Sequence, residues 1–356
     1  MRILFGLHGT THTEIAQSEI DAFRKAGVET EACAYGNWGT ANGVLNSLKL
    51  VFQNARDLKR KAVLQKTDIV YLNTAFDFKT LVRDSITIFI LRRCSRNLKI
   101  VLKFHGSESK VVLSKINLLK SYVLKRASLL LVLSNEEKNN FLSIGVPSRK
   151  VQVTANVIQK DLYVPEIDFK KKAGLAEETS VLLFVGRFMQ EKGILDLVEA
   201  CKLLKEAGVD FCLFCLGNGP LAEDVNNLIG KYGLKDNIKL PGHIPESETR
   251  RYYANCNVLI LPTYHEEGFP MAVFQAVGAG RPVITTKIRA AADYLVENEN
   301  CLWVEKKNPR QVFEQIFTLL NNKQLQEKMR VNNLALAEKY TADKIVSNLL
   351  EYFKIL

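Results

Sequence analysis

The residues able to do chemistry in this 356-residue chain gather on short loops. In Val185-Gly186-Arg187-Phe188-Met189-Gln190-Glu191-Lys192-Gly193, two cations stand between glycines, after an apolar run and before a helical pattern. Fixed Arg and Lys groups aimed at one point stabilise the negative charge that grows on a departing diphosphate. The chain has no Asp-x-Asp, the carboxylate pair that commonly holds a divalent ion on a nucleotide-linked substrate. Side chains are therefore expected to supply the positive charge, with no metal. Leu216-Gly217-Asn218-Gly219-Pro220 closes another apolar run with two glycines suited to backbone contact with a nucleotide. The longest block runs Leu261-Pro262-Thr263-Tyr264-His265-Glu266-Glu267-Gly268-Phe269-Pro270-Met271-Ala272-Val273-Phe274-Gln275-Ala276, followed by Gly278, Gly280 and Arg281.

Near the start, Gly6-Leu7-His8-Gly9-Thr10-Thr11-His12 offers glycines where a helix N-terminus can approach a phosphate. It lacks the third glycine and the acidic partner of the dinucleotide fingerprint, so a plain tight turn is an equally open reading. The five histidines, His8, His12, His105, His243 and His265, all fall in or beside loops that follow predicted strands. Seven cysteines in a chain that opens directly on a strand-like run suggest reduced thiols and a cytoplasmic setting. Cys212 and Cys215 have C-x-x-C spacing, but they lie in an apolar strand where residues three apart face opposite sides. No metal or redox role is expected of them.

The elements that must position these loops are legible as two repeats of one plan. Short apolar runs alternate with longer amphipathic stretches, the signature of parallel sheets with crossover helices. In the first half the strand runs are Arg2–Leu7, Glu29–Tyr35, Asp68–Asn73, Lys99–Phe104, Leu129–Leu133 and Lys150–Thr154. In the second they are Ser180–Val185, Asp210–Leu216, Ile238–Leu240, Asn257–Leu261, Pro282–Thr286 and Cys301–Val304. A helix is expected over Val44–Gln65, with Val44, Leu48, Val51, Phe52, Ala55 and Leu58 on its buried stripe. The fold class is α/β, as two tandem Rossmann-like domains facing a central cleft. Domain bounds are expected at 1–160, a linker at 161–179, a second domain at 180–340 and a final helix at 341–356.

With these motifs in order, the chain resembles the retaining glycosyltransferases of the large B-type-fold family (glycosyltransferase family 4, group 1), which includes sucrose synthase. The likeness is strong over 180–306 and weaker but continuous over 1–160, where Ala127–Asn135, Gly145-Val146 and Lys150–Asn156 support it. The resemblance implies the GT-B fold and transfer of a hexose-type sugar from a nucleotide-sugar donor of UDP or GDP type. Arg187 and Lys192 would hold the diphosphate, with the Gly9 backbone nearby, and Gly217, Gly219 and Gly242 would line the donor site. Ile244 or its neighbours would meet the base. Glu267, followed by Gly268, Phe269 and Pro270, matches the family's first glutamate, which contacts sugar hydroxyls, and His105 matches the histidine beside the reacting sugar carbon. Gln275 stands where the family has a second glutamate that holds the ribose. Its lack of charge predicts nucleotide binding weaker by about 1–2 kcal/mol. The family's favoured mechanism is front-face attack, with the leaving phosphate taking the acceptor's proton, and its last helix returns to the first domain.

Charge is uneven. Residues 1–165 hold 25 Lys and Arg against 13 Asp and Glu, and residues 166–356 hold 24 against 25. A basic half points to an anionic partner or to a merely solvated surface. Val111–Arg126 reads as an amphipathic helix carrying Lys115, Lys120, Lys125 and Arg126, with a second cluster at Arg92, Arg93, Arg96 and Lys99. Such a face suits anionic lipid, and with the family likeness it suggests a lipid-linked or polysaccharide acceptor in cell-surface glycan synthesis, lipopolysaccharide included. The competing readings are a non-catalytic scaffold of the same fold, a sugar-nucleotide epimerase, and a basic nucleic-acid-binding protein. No nucleic-acid module appears, so no nucleic acid is expected as partner.

Overall fold

The apolar runs form twelve strands in two parallel six-stranded sheets. The structure is a computed structural model and describes residues 1–8, 13–36, 43–93, 97–106, 109–114 and 118–356. Its first sheet contains β1 (Arg2–His8), β2 (Glu29–Gly36), β3 (Ile69–Thr74), β4 (Lys99–Phe104), β5 (Leu129–Val132) and β6 (Val151–Val153). They lie in the order β2-β1-β3-β4-β5-β6. The second contains β7 (Ser180–Val185), β8 (Phe211–Leu216), β9 (Ile238–Gly242), β10 (Val258–Leu261), β11 (Val283–Thr285) and β12 (Cys301–Trp303). Their order is β12-β11-β10-β7-β8-β9. Helices cover both faces of such sheets, so the central strands are apolar on both sides. Leu130, Leu131, Leu182, Leu183, Leu259 and Ile260 are fully buried.

The chain forms two units. The first comprises Met1–Val157, Glu266–Phe269 and Ala342–Leu356, and the second Ile158–His265 and Pro270–Thr341. The final helix, Ala342–Lys354, belongs to the first unit, where Phe353 stacks on Phe23 at 6.0 Å and meets Tyr71 edge-on at 6.2 Å. The segment expected as a linker packs on the second unit instead. Its short helix Phe169–Lys172 buries Phe169 against Phe214 and Tyr252, and Glu166 N donates to Asn255 Oδ1 at 3.1 Å.

Two helical expectations need correction. The helix Val44–Leu64 buries Ser47, Val51, Asn54, Ala55, Leu58 and Ala62, while Val44 and Phe52 point to solvent. Its inner face is rotated because small and polar residues fit closer to the sheet than the large ones do. The basic helix expected over 111–126 is split into Ser109–Leu113 and Leu118–Arg126. Lys120 is 1% exposed and donates to the carbonyls of Val111, Val112 and Ser114, the uncapped end of the preceding helix. It is an internal cap and no part of a surface charge patch. Arg92 is similarly engaged with the Leu98 and Arg126 carbonyls, while Lys115 and Arg96 lie outside the described residues. Among the described residues, no helix is long and apolar enough to cross a membrane.

Candidate functional site

In the second unit, β7 has β8 on one side and β10 on the other, so the sheet order reverses beside it. Open α/β sheets bind ligands at that point, outside the carboxyl ends of the strands. The loop after β7 carries Arg187 and Lys192 there, and backbone bonds hold it to its neighbours. Phe188 N donates to Asn218 O at 3.0 Å, Leu221 N to Phe188 O at 3.1 Å, and Gly186 N to Leu216 O at 3.0 Å. A Cβ on Gly217 would lie 2.0 Å from Gly186 O, and one on Gly219 would lie 2.4 Å from Phe188 O. These glycines, read from the sequence as nucleotide contacts, are required first for this loop-to-loop approach.

The other side is tied as firmly. The Glu191 carbonyl accepts from Tyr264 N at 2.8 Å, His265 N at 3.1 Å and Thr263 Oγ1 at 3.0 Å, which joins the loop after β7 to that after β10. Arg187 projects into solvent, and its guanidinium has no ion-pair or hydrogen-bond partner among the described residues. Lys192 is half-buried at the end of a single 3-10 turn. The helix Ile194–Glu206 begins immediately afterwards, with no side-chain cap on its first turn. Burial and Glu199 raise the Asp196 carboxyl, and burial with Asp196 and Glu191 raises the Tyr264 phenol.

Gly242 ends β9 and the half-buried Ile244 lies in the loop after it, and Gly217 N donates to Gly242 O at 2.8 Å. Pro270, buried, starts the helix Met271–Gly278, and Gln275 in its second turn donates from Nε2 to Glu246 Oε1 at 2.8 Å. Arg187, Lys192, Gly217, Gly219, Gly242, Ile244, Pro270 and Gln275 thus share the second unit.

His105, Glu267, Gly268 and Phe269 belong to the first. His105 follows β4, its amide donating to Thr74 O at 2.9 Å and its ring Nε2 lying 2.8 Å from Asn73 Oδ1. Gly268 presses on Gly106 so closely that a Cβ would stand 2.7 Å from the Gly106 Cα, and Glu266 Oε2 accepts the Ser109 amide at 2.9 Å. Glu266, though exposed, thus helps to seat this segment. Gly9 and His12 lie outside the described residues.

Beside His105 is a cavity of about 220 Å³ whose lining includes Glu19, Tyr71, Asn73, Lys103 and Asn156. Lys103 Nζ donates to Glu19 Oε2 at 2.6 Å, and Tyr71 OH donates to Glu19 Oε1 at 2.7 Å. Burial, with Glu19 next to it, drives the Tyr71 phenol well above its ordinary range. Sequence reasoning missed Glu19, Tyr71 and Lys103. A lysine inside the apolar run that ends at His105 was the available signal, because an interior lysine demands a partner. Cys212 and Cys215 are buried in β8 with thiols raised by burial. Among the described residues, no three His, Cys, Asp or Glu side chains gather as a metal site.

Residues 166–334 match the family model described as glycosyl transferases group 1. The chain carries a group 1 glycosyltransferase domain. The match begins on the packed segment ahead of β7 and runs into the helix Lys323–Lys339, so the group 1 domain holds the loops with Arg187, Lys192 and Gln275. Over 256 residues the chain is 26% identical to an uncharacterized glycosyltransferase of Methanocaldococcus jannaschii, covering 71% of this chain and 68% of that protein. It is 26% identical over 234 residues to the amylovoran biosynthesis glycosyltransferase AmsK of Erwinia amylovora, covering 63% of this chain. That match spans little more than half of AmsK, 55% of its length. Among solved structures, HepE of Anabaena, in complex with UDP and glucose, superposes with a TM-score of 0.77 at 17% identity over the whole of both chains. The fold is that of the B-type glycosyltransferases.

Proposed function

We propose that the chain is a retaining, metal-independent glycosyltransferase of polysaccharide or lipopolysaccharide synthesis. It moves a hexose-type sugar from a nucleotide-sugar donor onto a lipid-linked or glycan acceptor. The observation that carries this reading is the loop after β7. It bears an exposed Arg187, unpaired among the described residues, and a half-buried Lys192, and it is tied by backbone to the loops on both sides. As the bond from the anomeric carbon to the diphosphate breaks, negative charge gathers on the leaving oxygen. Arg187 and Lys192 stabilise it from positions that need no rearrangement. The acceptor hydroxyl attacks the face the diphosphate leaves, its proton passes to the departing phosphate oxygen, and configuration is retained. Glu267 binds the sugar hydroxyls, His105 stands by the reacting carbon, and backbone around Gly242 and Ile244 meets the base. The similarity to HepE, solved with UDP and glucose, supports UDP as the nucleotide. The first unit's charge surplus, with Leu113 and Leu118 exposed and Lys125 and Arg126 exposed at the end of the helix Leu118–Arg126, supports peripheral attachment to an anionic cytoplasmic membrane face.

The test is a thermal-shift screen with UDP, GDP and ADP, then release of the diphosphate from the matching donor. A ligand at 100 times its Kd stabilises the fold by about 2.7 kcal/mol, roughly 5–10 °C for a unit of this size. Turnover is expected to persist in a chelator, and Arg187→Ala and Lys192→Ala to lower kcat/KM by about 100- to 1000-fold each. Turnover that needs manganese, or that survives both substitutions, overturns the reading.

A further inference from the structure

Gln275 occupies a position where a carboxylate was expected, and the sequence alone reads as a weakened hold on the ribose. The structure supplies the missing charge from another element. Glu246 is the first residue of the helix Glu246–Asn255, which follows Gly242 at the end of β9 and the loop carrying Ile244. Its Oε1 accepts the Gln275 amide at 2.8 Å, and both side chains are half-buried. The bond uses one acceptor atom of Glu246 and one donor of Gln275. Glu246 Oε2 and Gln275 Oε1 have no hydrogen-bond partner among the described residues.

We infer that Glu246 and Gln275 form one acceptor set that takes the 2′,3′-diol of the donor's ribose, with Glu246 as its charged, specificity-determining member. This rests on the donor reading proposed above for the second unit. A vicinal diol presents two O–H donors side by side. An adjacent carboxylate and amide oxygen match them, and the ionised partner makes the stronger bond. The same geometry explains why position 275 is not glutamate. Two carboxylates within about 3 Å cannot both stay ionised without raising the pKa of one. The amide lets Gln275 orient Glu246 by donating to it. The carboxylate that meets the ribose then stands on the helix Glu246–Asn255, and the affinity expected to be lost through Gln275 is retained through Glu246.

The experiment measures dissociation constants by calorimetry for UDP, GDP and ADP, each beside its 2′-deoxy counterpart, on the full chain. The wild type is expected to prefer the ribonucleotide about tenfold, the size of one charged hydrogen bond. Glu246→Gln removes that preference by weakening the ribonucleotide more than its 2′-deoxy counterpart, which keeps only the 3′ hydroxyl. Gln275→Glu alone weakens ribonucleotide binding and makes it pH-dependent. The swap Glu246→Gln with Gln275→Glu restores one carboxylate to the pair and returns the preference. A Glu246→Gln protein with the wild-type ratio of ribo to deoxy affinity overturns the diol set and leaves the donor reading standing. A wild type that binds none of the nucleotides overturns the donor reading and the diol set with it.

Discussion

The two units share a parallel six-stranded plan yet hold their strand-end loops by opposite means. Beneath the loops of the first unit lie two buried ion pairs. Lys103 with Glu19 is 1% and 5% exposed in its side chains, and Arg83 with Asp84 is 1% and 1%. Asp84 also accepts from Thr74 Oγ1 at 2.6 Å and from the Tyr35 hydroxyl, while Arg83 sits over the Tyr35 ring. Thr74 in turn accepts the His105 amide, so the charge network fixes the strand end on which the histidine stands. In the second unit, the ion pairs of Glu166 with Lys172 and Arg251 lie at the surface, and the strand-end loops are fastened by amide-to-carbonyl bonds where only glycine fits. The difference matches the two tasks proposed for them. A loop that must meet the same diphosphate every turnover gains from a rigid backbone. A cavity floor of charged side chains instead offers polar groups that a substrate's hydroxyls can address.

The comparison breaks first at Lys103. Lys103→Met leaves the Glu19 carboxylate buried and uncompensated, and is expected to cost about 3–5 kcal/mol in urea denaturation. Adding Glu19→Gln removes the orphaned charge and still accepts from Tyr71, so the double variant should recover most of the loss. If the single substitution costs under about 1 kcal/mol, the pair does not hold the first unit together. Backbone closeness in the second unit is tested by Gly217→Ala. That methyl collides with Gly186 O in a left-handed conformation at φ +141°, and a loss of about 2–3 kcal/mol is expected with nucleotide affinity falling alongside. Gly242→Ala is the control. It shares a positive φ of +83° but faces open space, so only about 1 kcal/mol should be lost. Equal losses at the two sites would show that conformation, and not loop contact, sets the demand for glycine.

The central strands were legible because a strand covered on both faces must be apolar along its length, a property local to the chain. The Arg187–Lys192 loop was legible for a similar reason: its glycines and cations are contiguous. What stayed hidden depends on partners distant in sequence. Lys103 and Glu19 are 84 residues apart and Gln275 and Glu246 are 29 apart, and neither pairing leaves a local pattern. Periodicity also ranked Val44 and Phe52 above Ser47 and Asn54 for burial, since it scores hydrophobicity and cannot see how closely a sheet approaches. Lys120 reads as a surface charge in the sequence because a helix break just ahead of it, with carbonyls to cap, is a tertiary outcome. Phe169 was the one cue that the supposed linker would pack, a lone large aromatic before a run of lysines.

The smallest expected effect distinguishes the interiors themselves. Burial raises the Cys212 thiol to about 11 in the dry sheet of the second unit. In the first unit, Cys33 is only partly buried, and Lys61 opposes the rise that burial causes. A thiol raised on folding keeps its proton while the unfolded chain loses it. The stabilisation is therefore complete below the ordinary thiol pKa and is lost progressively as pH climbs toward the folded value. Between pH 8 and 9.5 Cys212 should contribute a loss of about 1 kcal/mol, so urea midpoints for Cys212→Ala should fall less steeply over that range than those of the wild type. Cys33→Ala should change the slope by less. Equal slopes for the two variants would mean that the second unit's strands admit water at alkaline pH. The contrast between a dry sheet fastened by backbone and a charged one fastened by side chains would then fail where it is easiest to measure.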